Sequence, residues 1–186
     1  MKKTMTLLTC MLLFCSVLFS QNPQKEINKL KSQTNAKVTV TSHGVAEFIK
    51  FPVTSPLELS GQTLQDKVTS FLETYKDLYP FETVEQTFKF GASEVDNYGL
   101  KKITITQHKN NVPVFDGQLR FHFNTENKLT AINGNYIPSI KNPTEPVITN
   151  YQAKNIAIQT VNKQGVNRSG VTLFAFKSTL YLFQKG

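Results

Sequence analysis

The sequence has only two cysteines and no tryptophan in its 186 residues, and both cysteines, Cys10 and Cys15, lie in the apolar N-terminal stretch. Beyond that stretch a thiol nucleophile, a cysteine-ligated zinc module and disulfide staples are all excluded, so the fold must be held by its core. Histidine is also scarce. His43, His108 and His122 fall on separate predicted elements, and no His-Glu-x-x-His occurs. That motif is the one that sets two imidazoles on one helix face for zinc, with glutamate as the base. No Gly-x-Ser-x-Gly is present, and the 13 acidic residues fall mostly in turns, so neither serine-hydrolase nor paired-carboxylate chemistry has its parts.

Charge of one sign is in excess without being concentrated. The formal net charge is +8, of which Lys2 and Lys3 carry two, leaving +6 for the rest. Lys25, Lys29, Lys31, Lys37, Lys101, Lys102 and Lys109 are scattered and not interleaved with aromatics, so nucleic acid is not an expected partner. A solvated basic surface is the expectation, with some attraction to acidic partners.

Residues 1–20 read as a signal peptide. Lys2 and Lys3 form a positive start, Leu7–Phe19 is apolar but too short to span a bilayer comfortably, and Ser20–Gln21 is the expected cleavage point. Phe14 before Cys15 does not suit a lipoprotein signal, which needs a small residue there. The chain is therefore expected outside the cytoplasm, secreted or periplasmic, with no stable membrane span after cleavage. Its lysine, asparagine and isoleucine content suggests a bacterial source, which argues against glycosylation at the sequon Asn167-Arg168-Ser169.

Residues 21–36 are polar and lysine-rich, and read as a frayed helix or a leader. Lys37–Val53 is expected to form a hairpin about Ser42-His43-Gly44. Leu64, Val68, Phe71, Leu72, Tyr75 and Tyr79 recur at helical spacing, with Lys67, Glu73, Lys76 and Asp77 off that stripe. Thr63 and Asp66 predict a capping box, and Pro80 a stop. Phe88–Phe90 predicts a short strand.

Gln107–Gly134 is the most informative stretch: QHKNNVPVFDGQLRFHFNTENKLTAING. Ile103 and Ile105 open an alternation, Lys109–Asn111 is a turn, and Leu129–Ile137 is a further strand. Val112 and Val114 continue on even numbers, but Leu119, Phe121 and Phe123 are odd. Such a parity switch needs an extra residue, expected at Asp116–Gly117. Gly134 predicts a second irregularity. Pro138, Pro143 and Pro146 then mark an extended linker, residues 138–148. Thr149 and Gln152 predict a second capping box, Ala153, Ile156, Ala157, Thr160 and Val161 a helical stripe, and Gly165 its end. Val171–Phe176 and Thr179–Phe183 read as strands. One helix and two strands are too few to enclose a core, so the chain is expected to be cut short at Gly186.

The sequence Gln107, Asn111, Val112, Pro113, Val114, Phe115, Gly117, His122 and Gly134 resembles the fungalysin/thermolysin propeptide motif. Asn111 stands where that family more often has glycine, a change that left-handed dihedrals tolerate. Residues 149–186 are similar to the opening of a PepSY domain. The resemblance implies a propeptide-like domain over 37–137 and a partial PepSY-like segment over 149–186. It also implies the pro-region of a secreted zinc metalloprotease, which helps the attached enzyme fold and covers its cleft until removed. The partner is then the cognate catalytic domain, in cis if the chain is truncated, and zinc belongs to that domain and not to this chain. The motif residues read as architectural, with no catalytic or metal-binding residue among them. The expected fold is α+β: a twisted antiparallel sheet with helices packed on one face. Two rival readings are a free-standing exported protease inhibitor and an adhesion or binding module.

Overall fold

A computed structural model describes residues 22–165 and 171–184. The signal peptide expected over 1–20 and the sequon at Asn167 lie outside the described residues.

The fold is α+β, built on a six-stranded antiparallel sheet in the order β1-β2-β6-β5-β4-β3. The strands are β1 Lys37–Val40, β2 Ala46–Lys50, β3 Phe88–Val95, β4 Lys101–Lys109, β5 Val112–Phe123 and β6 Leu129–Asn135. The helices are α1 Pro23–Thr34, α2 Leu64–Thr74, the one-turn α3 Val84–Thr87 and α4 Asn150–Lys163, with a 3₁₀ turn at Lys76–Leu78.

Of the two alternatives for residues 21–36, the helix forms, over Pro23–Thr34, and it belongs to the core. Asn22 caps α1 by accepting from the Lys25 N–H at 3.1 Å, and Pro23 stands in the first turn, where its missing N–H costs nothing. Asn35 closes it in the left-handed conformation, φ 55°. Ile27 and Leu30, one turn apart, are buried.

The helix α2 begins where the sequence predicts. Asp66 N–H donates to Thr63 Oγ1 at 3.1 Å and Thr63 N–H donates to Asp66 Oδ2 at 2.9 Å, which holds the Asp66 carboxyl below the usual range. It ends earlier than Pro80 implies. The α-helix stops at Thr74, and the tighter 3₁₀ turn carries Leu78 into the core. Lys67, expected off the apolar stripe, is buried instead. Its Nζ donates to the Leu59 carbonyl at 2.8 Å and reaches Glu58 Oε1 at 3.3 Å, so the charge keeps polar partners as the stem is covered.

All of these helical residues share one core with the sheet. Val68, Phe71, Leu72, Tyr75 and Leu78 cluster with Ile49, Ile103, Ile105, Leu119, Phe121 and Ile132. Phe71 meets Phe121 edge-on at 5.8 Å, which fixes α2 against β5. The alternate residues Lys102, Thr104, Gln118, Arg120 and His122 are only partly exposed and polar. The strand expected at Phe88–Phe90 continues to Val95 through an irregularity between Phe90 and Ser93.

The C-terminal part is less regular than the sequence suggests. The capping box at Thr149 and Gln152 forms, and Gly165 follows α4 at φ 67°. No residue of α4 is buried. The two strands expected at 171–176 and 179–183 do not form. Among the described residues the ladder pairing of this segment with the sheet is a single parallel bridge, Val114 to Leu182. The alternation in 171–180 does not by itself make a strand, because a strand needs a ladder partner and none is paired to it among the described residues.

Candidate functional site

The β4–β5 hairpin turns on Asn110 and Asn111, both at positive φ (49° and 64°), with Lys109 paired to Val112. Two left-handed central residues make the turn whose twist matches a hairpin, and asparagine adopts that conformation more readily than most residues. His108 pairs with Pro113, one step beyond the closing pair. In an antiparallel ladder this next pair exchanges no bonds, so the missing proline N–H leaves β4 without an orphan.

Beyond Pro113 the register breaks. Thr106 pairs with Gln118, so Gln107 alone faces the four residues Val114–Gly117. The bulge expected at Asp116–Gly117 is therefore larger than one extra residue, but the excess, 4 − 1 = 3, is odd, and the parity switch stands. Val114 is buried before it, and Gly117, Leu119, Phe121 and Phe123 after it. Asp116 takes φ 60° and accepts from Asn135 Nδ2 at 3.3 Å.

Gln107, 4% exposed, fills the gap that the bulge leaves. Its Nε2 donates to the Ile137 carbonyl at 2.8 Å, and the Ile137 N–H donates to its Oε1 at 2.9 Å. The side-chain amide thus does what a strand main chain would do for the segment leaving β6. Gly117 must be small here: a Cβ would lie 2.9 Å from Val114 Cβ and 3.0 Å from Gln107 Oε1. Gly134, at φ 140°, packs against the same strand, where a Cβ would stand 2.0 Å from the Gln118 carbonyl oxygen.

Next to Ile137, the buried Tyr136 donates its hydroxyl to the Pro80 carbonyl, and burial raises its pKa. Tyr79, packed 5.6 Å from Tyr136, is fully buried, and its hydroxyl has no partner among the described residues. A groove of about 450 Å³ runs between Pro80, Lys109, Asn111 and Ile137. Lys109 Nζ closes one end on the Ile140 carbonyl at 2.5 Å, which ties the proline-marked segment to the hairpin.

Of the residues singled out in the sequence, Gln107, Val114 and Gly117 converge at the bulge, Asn111 shapes the turn, and Gly134 sits across the strand. Phe115 is half exposed on the outer side of the bulge, its ring 5.5 Å from that of Phe183. Val112 closes the turn. His122 lies apart, with Nε2 2.6 Å from Asn133 Oδ1 across the β5–β6 ladder. The sequence did not single out Ile137, Tyr136 or Leu182. A buried glutamine beside a bulge is the signal for a main-chain partner, but it does not say which one.

The three histidines remain on separate elements. Among the described residues no group of three or more histidine, cysteine or acidic side chains is placed to hold a metal ion. What the arrangement holds is an irregular sheet centre closed by Gln107, with a groove beside it. Among the described residues no helix is long and apolar enough to cross a membrane.

Searches of curated proteins and of solved structures returned no match. A family model does match: residues 86–136, about a quarter of the chain, from α3 through β6 with the bulge at their centre, are similar to the Fungalysin/Thermolysin Propeptide Motif.

Proposed function

We propose that the chain is the N-terminal pro-region of a secreted zinc metalloprotease precursor, acting as intramolecular chaperone and inhibitor of the attached enzyme. The match of residues 86–136 to the propeptide motif carries this reading. The signal-like residues 1–20 and the lack of a His-Glu-x-x-His agree with a non-catalytic, exported pro-region. Zinc is held by the catalytic domain, and residues 149–186 open a PepSY-like module that leads toward it.

The physics is mass action. A domain that binds the folded protease and not its unfolded chain stabilises the folded form, by about 2.7 kcal/mol when its effective concentration is a hundred times Kd. Carriage on the same chain supplies millimolar local concentrations. The same contact keeps substrate out until the pro-region is cut away.

The test is to titrate the chain against a thermolysin-like protease, ideally the one encoded beside it, and to measure refolding of that protease from denaturant with and without the chain. Saturable inhibition together with a higher refolding yield is expected. Inhibition without any refolding gain would move the reading to a free-standing inhibitor, and the loss of both effects would leave an adhesion or assembly module.

A further inference from the structure

We propose that the bulged end of β5 is a docking slot for one extended peptide segment, that Tyr181–Phe183 of this same chain occupy it, and that the contact opens without unfolding the sheet. This inference does not depend on the protease reading.

Strand β6 ends with Asn135 opposite Gln118, so the edge of β5 before Gln118 has no β6 partner. On that edge the Pro113 carbonyl accepts from the Leu182 N–H at 2.9 Å, and the Phe115 N–H donates to the Leu182 carbonyl at 2.9 Å. Leu182 thus adds to β5 in parallel, opposite Val114. This is strand addition with a single residue as the anchor: main-chain bonds hold the segment, and alternate side chains read it. Leu182 and Val114 are both buried, while Tyr181 and Phe183 bracket the Phe115 ring at 6.2 and 5.5 Å, both nearly edge-on. The slot selects an aliphatic residue between two aromatics.

Two observations make the contact separable. Val114 and Leu182 lie outside the cluster that forms the main core. The rest of the C-terminal segment is lightly held. Residues 171–180 carry no regular structure, α4 buries nothing, and the remaining ties include Asn142 Nδ2 to the Phe183 carbonyl at 3.1 Å and Lys154 Nζ to the Phe176 carbonyl at 3.4 Å. The Val-Pro-Val-Phe part of the motif therefore clamps a segment and sets where it lies on the sheet.

Residue-resolved amide exchange on the full chain tests this. The Phe115 and Leu182 amides should exchange through a local opening at least about tenfold faster than the Ile105 and Phe121 amides. Phe115→Ala should speed exchange at Leu182 and leave Ile105 unchanged. In the Leu182→Asp chain the slot is emptied, and an added synthetic peptide spanning Thr179–Gln184 should shift the Val114–Gly117 resonances saturably. Exchange of Phe115 and Leu182 in step with Ile105 would overturn the proposal, as would a peptide that leaves those resonances unmoved. Dependence of Leu182 protection on protein concentration would assign the slot to a second copy and reject occupancy within one chain.

Discussion

The side chain of Gln107 and the main chain of Ile137 are joined twice, by a donated bond of 2.8 Å and an accepted bond of 2.9 Å. One buried glutamine thereby replaces the missing strand partner of the segment that leaves the sheet.

Replacing that amide separates its two bonds. Gln107→Leu should lower stability by about 2–4 kcal/mol in urea unfolding, because both polar groups of Ile137 lose their partner. Gln107→Glu keeps the acceptor and loses the donor at neutral pH. Burial raises that carboxyl's folded pKa above its unfolded value, so the penalty is smallest below the unfolded value of about 4.3 and grows as pH rises through the folded one. A Gln107→Glu chain that is no closer to wild type in acid would refute the pairing.

Two glycines with left-handed dihedrals should respond differently to alanine. Gly134→Ala places a carbon on the Gln118 carbonyl and should cost more than about 3 kcal/mol, whereas Gly44→Ala meets nothing within 4 Å and should cost about 1 kcal/mol, the dihedral strain alone. Equal thermal shifts for the two variants would contradict this packing.

Alkali should unfold the protein through its buried phenols. Burial holds the folded pKa values of Tyr79 and Tyr136 well above 10. The unfolded chain releases those protons near pH 10, so the folded form then binds more protons. Stability is full below that pH and falls above it, by up to about 1.4 kcal/mol per unit for each phenol. Tyr79→Phe removes a buried hydroxyl that has no partner among the described residues, so it should be neutral or stabilising at pH 7 and should flatten the alkaline decline.

Leu30→Ala tests whether residues 21–36 are part of the domain. Leu30 is completely buried, and its truncation should cost about 2–5 kcal/mol. A detachable leader would show no change in the urea midpoint.

Local patterns are legible in the sequence where neighbours along the chain decide the structure. Thr63 with Asp66 and Thr149 with Gln152 form capping boxes because each pair closes its own bonds within three residues. The parity switch between Val114 and Leu119 located the bulge for the same reason. Long-range choices were not visible. Lysines around Ile27 and Leu30 hid a helix whose two apolar residues suffice to seat it. Lys67 looked exposed because nothing nearby in sequence announces the Leu59 carbonyl. Of the motif residues, Gln107 is legible as part of a pattern, but its partner Ile137 is thirty residues on. The strands expected after residue 170 have the right alternation, but only Leu182 meets the sheet edge in a ladder bridge, which periodicity cannot reveal.

The odd excess of residues in the bulge also restricts how related chains can vary in length. Turns such as Asn124–Lys128 can gain or lose a residue at the surface without disturbing the faces of β5 and β6. Between Val114 and Gly117 a single insertion or deletion would turn one half of β5 inside out, taking Leu119, Phe121 and Phe123 off the helices or exposing Val114. Length changes there are tolerated only in twos, which makes this short stretch a reading-frame constraint written into the sheet.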